Sequence, residues 1–119
     1  MTRLKLWVPV FIWMAIIFTL SSMPGKVIPD VKIPHLDKLA HFVEYFILGF
    51  LLIRAFLNSS KGISRTSLVA IAIFIAAGFA VTDELHQAAT PNRETDIVDF
   101  MFDSIGAATG ILLYKKKQI

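Results

Sequence analysis

The sequence predicts an all-α fold, an integral membrane four-helix bundle with both termini in the cytoplasm. Its 119 residues are enough for one domain. The hydrophobic fraction of 55% and the mean hydropathy of +0.66 are high, since an average soluble domain is roughly 45–50% apolar. The apolar residues lie in four runs, each close to the roughly 20 residues that cross a bilayer. We therefore predict a single transmembrane domain over residues 1–119, with helices at about 6–22, 36–57, 64–87 and 96–114.

Loop and cap residues separate these helices. The first run, Leu6 to Ser22, carries no charge and is followed by a poor signal-peptidase site, so we expect a retained helix. Three prolines and one glycine make residues 23–35 a loop. Ser64 suits the N-cap of the third helix. Pro91 lies in the predicted turn between the third helix and the fourth, where it ends the helical pattern.

The distribution of Lys and Arg predicts the orientation. With both termini inside, eight of these residues lie on the cytoplasmic side and four on the outer side. The net charge of +3 therefore reflects topology, and we expect no nucleic-acid partner. The chain has no cysteine, which excludes disulfides, thiolate metal ligands and a cysteine nucleophile. In this topology the start of helix two, the end of helix three and the start of helix four meet at the outer face.

Helix two begins with a stripe of ionisable residues. Asp37, His41, Glu44 and Leu48 follow one another at i, i+4, i+7 and i+11, which places them on one side of a helix. Asp37 also suits a helix N-cap, and Lys38 beside it suits a side chain that reaches the headgroups. His41 and Glu44 lie one to two turns inside the helix, where ionisable groups are rare and usually face the bundle interior.

The third helix combines small residues with acids. Ala72, Ala76, Ala80 and Glu84 lie at i+4 spacing, and because small residues let helices approach closely, we expect Glu84 to face the bundle. Asp83 shares a face with Gln87, and its direction stays open. We expect His86, near the helix end, to be solvated.

The fourth helix carries two acids on the same face as two glycines. Asp99, Asp103, Gly106 and Gly110 follow at i, i+4, i+7 and i+11, so the GxxxG face should pack inside the bundle. Asp103 lies about 9 Å along the helix from Ile97, at 1.5 Å per residue. A carboxylate at that depth must be paired, protonated or hydrated. Arg93, in the preceding loop, suits either a salt bridge at the rim or an anion clamp.

Three stretches resemble motifs of the VanZ-like family of small bacterial membrane proteins. They are "DKLAHFVEY" at residues 37–45, "DELHQAATPNR" at 83–93 and "DFMFDSIGAATG" at 99–110, in the family's order. Many members have Asn where this chain has Asp103, so its site is more acidic. The resemblance implies an integral protein of the cell envelope, in a family linked to resistance to glycopeptide antibiotics, teicoplanin in particular.

The sequence supports more than one function and leaves open whether the protein is an enzyme. We favour an outward-facing polar pocket at headgroup depth that binds an envelope lipid, a lipid-linked cell-wall precursor or a glycopeptide. A metal-assisted hydrolase or transferase with ligands from His41, Glu44, Glu84 and Asp99 is one alternative. A small proton-coupled carrier and a purely structural network are the others. No cofactor is predicted, although the acidic cluster could hold a divalent cation. The predicted pocket comprises Asp37, Lys38, His41, Glu44, Asp83, Glu84, Gln87, Arg93, Asp99 and Asp103.

Overall fold

A computed structural model of the chain describes residues 2–22, 36–89 and 97–114, which form four α-helices. These are α1 (Arg3–Ser22), α2 (Leu36–Ser59), α3 (Arg65–Ala88) and α4 (Ile97–Leu113). The predicted all-α, four-helix architecture is confirmed. Three helices in the described part of the chain, α1 to α3, are long and apolar enough to cross a membrane. The 17 residues of α4 span only about 26 Å at 1.5 Å per residue, so the fourth crossing remains a prediction.

The helix ends show where local sequence decides the fold. α1 begins at Arg3 rather than residue 6, and α2 continues to Ser59. Ser64 caps α3 as predicted, since its extended backbone (φ −66°, ψ 152°) lets Oγ accept a hydrogen bond from the amide of Ser67 at 3.1 Å. Such a cap satisfies an amide that has no partner inside the helix.

The apolar core is centred on α2, which packs against all three other helices. Leu48, Leu52 and Ile53 of α2 are buried in it. The alanine stripe of α3 is buried as predicted, because small side chains let α3 lie close to its neighbours. The buried alanines of this stripe are Ala72, Ala76 and Ala80.

The closest helix contact is between α2 and α4. A Cβ atom added at Gly106 would collide with the carbonyl oxygen of Phe42, and one added at Gly110 would collide with that of Phe46. The prediction that the GxxxG face packs inward is therefore confirmed. Glycine is required here because backbone touches backbone, and this contact holds α2 and α4 in fixed register near His41.

The outside of the bundle is apolar, while several polar residues lie inside. Phe74 is 80% exposed, Ile97 77% and Leu4 72%. Exposed apolar area of this extent marks a surface that contacts membrane or protein. Within residues 2–22, 36–89 and 97–114, six polar or charged residues are buried: Ser21, His41, Asp83, Gln87, Asp99 and Asp103.

Candidate functional site

The buried polar residues gather at one end of the bundle, where α1 and α3 finish and α2 and α4 start. Three stretches that are far apart in sequence thus supply side chains to one place. We call this region the polar end, and its main members are Lys38, His41, Asp83, Gln87, Asp99 and Asp103.

A hydrogen bond between α2 and α4 lies at its centre. His41 Nδ1 is 2.7 Å from Asp103 Oδ1. The Asp103 side chain has no exposed surface, and that of His41 is 10% exposed. The other carboxylate oxygen, Asp103 Oδ2, has no hydrogen-bond partner among the described residues. A buried polar atom left without a partner costs about 1–3 kcal/mol, and more when it is charged.

An ion pair joins the same two helices closer to the surface. Lys38 Nζ donates to Asp99 Oδ1 at 2.9 Å, with the side chains 16% and 8% exposed. Asp99 Oδ2 lies 3.9 Å from His41 Nε2. Lys38 thus contacts an acid of the bundle. The result is a continuous series of ionisable groups, Lys38, Asp99, His41 and Asp103, across the α2–α4 interface.

Of the two neighbouring acids of α3, Asp83 is buried more deeply in the polar end than Glu84. Asp83 is 3% exposed and accepts a hydrogen bond from the Tyr45 hydroxyl at 3.4 Å. Glu84 is half-buried, and its Oε1 is buried without a hydrogen-bond partner among the described residues. Glu84 was the acid expected to face the bundle, yet Asp83 lies deeper. The reason is that burial continues from Ala80 to Asp83 and Gln87, one position round the helix from Glu84.

The prediction that His86 is solvated is wrong. Its ring stacks on Phe18 with centroids 4.3 Å apart, and Nε2 forms a 2.6 Å hydrogen bond with Ser22 Oγ. Both partners come from the end of α1, which the local pattern of α3 cannot reveal. Ser21, also in α1, accepts from Gln87 Nε2 at 3.5 Å.

Two further side chains of α2 differ from the predicted set of pocket residues in burial or membership. Glu44 is half-buried, and its backbone carbonyl accepts a hydrogen bond from Trp13 Nε1 at 2.8 Å. Tyr45 was not among the predicted residues, although it is fully buried. Its i+4 spacing from His41 could have placed it on the same face of α2. The Asp37 side chain and Arg93 lie outside the described residues.

The arrangement brings together groups that can bind a cation. His41, Asp83 and Asp103 each offer a nitrogen or oxygen atom, and these atoms all lie within 4.8 Å of one another. This set shares only His41 with the metal ligands expected from the sequence. Lys38 at the edge of the same region can attract an anion, so the polar end presents both signs of charge.

Comparison with known proteins places these residues in a family. The family model described as VanZ/LLP1 matches residues 6–118, nearly the whole chain, including all three motif stretches. Neither a curated protein nor a solved structure matches the chain.

Proposed function

Because the chain belongs to the VanZ/LLP1 family, we propose that it is a multi-pass protein of the bacterial cell membrane that binds a lipid headgroup at its polar end. The headgroup belongs to an envelope lipid or a lipid-linked cell-wall precursor, and both chain termini are cytoplasmic. The observation that carries this proposal is the burial of charged residues at one end of a bundle whose exterior is apolar.

The apolar exterior supports insertion in a bilayer. Exposed side chains such as Phe11 (64%) on α1, and Phe74 (80%) and Leu85 (69%) on α3, lie on the outside of the bundle, where hydrocarbon would cover them at little cost. The buried acids are then ionisable groups inside a membrane domain. Such groups are costly, face the bundle interior and usually have a functional role.

The position of Lys38 and Asp99 supports headgroup binding. Lys38 is the third residue of α2 and Asp99 the third of α4, so both lie near helix ends and therefore at headgroup depth. The ammonium can attract a phosphate, and the carboxylate can accept hydrogen bonds from hydroxyl or ammonium groups of the same headgroup. Arg93, expected in the loop before α4, would supply a second cation for the phosphate.

A groove on α1 supports binding of the acyl chain. It is a shallow depression lined by Ile12, Ala15, Ile16, Thr19 and Leu20 of α1, the helix that ends at Ser22 in the polar end. An acyl chain in this groove would bring its headgroup toward the buried polar residues.

The proposal is tested by measuring which lipid headgroups the protein binds. The purified chain is presented with lipids of different headgroups, and bound lipid is identified by native mass spectrometry. We expect Lys38→Gln and Arg93→Gln to reduce binding of phosphate-bearing lipids. Arg65→Gln is the matched control, because Arg65 lies at the opposite end of the bundle and donates to the Tyr114 carbonyl. Unchanged binding in both polar-end variants would exclude the phosphate clamp.

The link to glycopeptides has its own test. Expression of the wild-type chain in a teicoplanin-sensitive bacterium should raise the minimal inhibitory concentration, and Lys38→Gln should abolish that increase. No increase with the wild-type chain would exclude a role in resistance, while headgroup binding would be judged by the preceding experiment alone.

A further inference from the structure

We propose that His41, Asp83 and Asp103 bind one divalent transition-metal ion, such as Zn²⁺ or Mn²⁺, between α2, α3 and α4. The inference goes beyond lipid binding and does not depend on it. It rests on the positions of three ligand side chains, on a buried carboxylate oxygen that has no hydrogen-bond partner among the described residues, and on the charges around this oxygen.

The geometry fits one small ion. One imidazole nitrogen and two carboxylate oxygens lie within 4.8 Å of one another. Zinc bonds to these atoms are about 2.0–2.2 Å long, so two ligand atoms of one tetrahedral ion lie roughly 3.5 Å apart. Small side-chain rotations would therefore close the site. Mixed nitrogen and oxygen ligands favour Zn²⁺ or Mn²⁺ over Mg²⁺ and Ca²⁺, which prefer oxygen alone.

The second observation in favour of a bound ion at this site concerns Asp103 Oδ2. The Asp103 side chain is completely buried, and Oδ2 has no hydrogen-bond partner in the described ranges 2–22, 36–89 and 97–114. Buried polar atoms are nearly always satisfied. A metal ion next to this carboxylate would satisfy it.

The balance of charge also favours a divalent cation. Three carboxylates, Asp83, Asp99 and Asp103, surround Lys38 and His41 at the polar end. With a neutral imidazole, these groups carry two net negative charges, and Glu84, which interacts electrostatically with Asp99 and Asp103, adds a third when it is ionised. A divalent cation therefore reduces the excess of negative charge. The proton shared by His41 and Asp103 would leave to solvent as the metal enters, because metal ligands must be deprotonated.

Asp99 is placed to orient the histidine. If Nδ1 of His41 binds the ion, Nε2 faces Asp99 Oδ2, now 3.9 Å away. A ligating histidine usually donates its other N–H to a carboxylate, which fixes the ring. Asp99 is thus a positioning residue for the site, held in turn by Lys38 at 2.9 Å.

Metal titration of the full chain tests the inference. The protein is purified in detergent with no added lipid, stripped with EDTA and titrated with Zn²⁺ alone, and bound metal is counted by elemental analysis. We expect one Zn²⁺ per chain. Asp99→Asn should weaken binding by the roughly 10–100-fold typical of a lost outer-shell partner. The ligand variants His41→Gln, Asp83→Asn and Asp103→Asn should weaken it further.

His86→Gln is the matched control, because it removes a histidine from the same end that bonds instead to Ser22. It should bind Zn²⁺ like the wild type. A measurement without any variant is the electron spin echo of wild-type protein loaded with Mn²⁺, which should show modulation by an imidazole nitrogen. No metal binding by the wild type, equal binding by the ligand variants, or a Mn²⁺ signal without nitrogen modulation would each overturn the inference. Loss of lipid binding with retained zinc binding would remove only the proposed function.

Discussion

The two ends of the bundle are held together by different kinds of polar contact. At the end opposite the polar end, which we call the basic end, the contacts use neutral acceptors near the surface. Trp7 Nε1 donates to Ser59 Oγ at 3.3 Å, and Asn58 Nδ2 donates to the Tyr114 hydroxyl at 2.9 Å. Arg65 donates to the Tyr114 carbonyl at 2.9 Å. These residues are half-buried or exposed, whereas the polar end buries several carboxylates.

The contacts at the basic end show that helices can be held together without buried charge. Interhelical hydrogen bonds in one membrane protein average about 0.6 kcal/mol, and neutral pairs like those of the basic end suffice for that. Breaking a buried ion pair costs more than an apolar replacement of both partners. The charges of His41, Asp99 and Asp103 are thus poorly explained by stability, which favours a binding role for the polar end.

The largest effect should follow removal of one partner from the polar end. His41→Leu leaves Asp103 fully buried without its partner, and we expect a loss of about 3–5 kcal/mol in the free energy of unfolding. Trp7→Phe, which removes the Trp7–Ser59 hydrogen bond at the basic end, should cost about 1 kcal/mol or less. Reversible unfolding in mixed micelles measures both.

The double variant His41→Leu/Asp103→Leu separates stability from function. Since it removes both buried charges, it should recover most of the stability lost by His41→Leu. It should not recover Zn²⁺ binding. A double variant as unstable as the two single variants together would show no coupling between these residues and contradict the contact.

The features that repeat along one helix could be predicted from the sequence. The four helices, the Ser64 cap, the alanine stripe of α3 and the GxxxG face of α4 each follow from local spacing, and the structure has them all. Helix order then brings three charged ends together, because successive helices run in opposite directions.

What could not be predicted depends on how each helix is rotated about its axis. Neighbouring positions such as Asp83 and Glu84 differ by about 100°, so their burial is decided by packing with α2 and α4. The His86–Ser22 contact joins residues 64 positions apart. No local pattern encodes such a pair, and the approach of Asp83 and Asp103 to His41 likewise depends on how three helices pack together.

An intermediate effect should follow from adding a side chain at the close contact between α2 and α4. Gly106→Ala places a methyl group against the Phe42 backbone, and since backbone cannot rotate away, we expect a loss of about 1–3 kcal/mol. Gly78→Ala is the matched control, because no atom lies within 4 Å of its added Cβ. It should stabilise the helix by about 0.5–1 kcal/mol. Equal effects at the two glycines would contradict the close approach. Thermal unfolding of both variants in detergent measures the difference.

The smallest effect should come from Arg65→Ala at the basic end. The exposed guanidinium donates to the Tyr114 carbonyl, and water can replace it as donor, so we expect a change of at most about 1 kcal/mol. Zn²⁺ affinity should equal that of the wild type, since the basic end is remote from His41. Unfolding and metal titration of the same sample check both statements. If Arg65→Ala lowered stability as much as His41→Leu, buried and exposed charges would matter equally. The contrast between the two ends would then give no reason to assign binding to one of them.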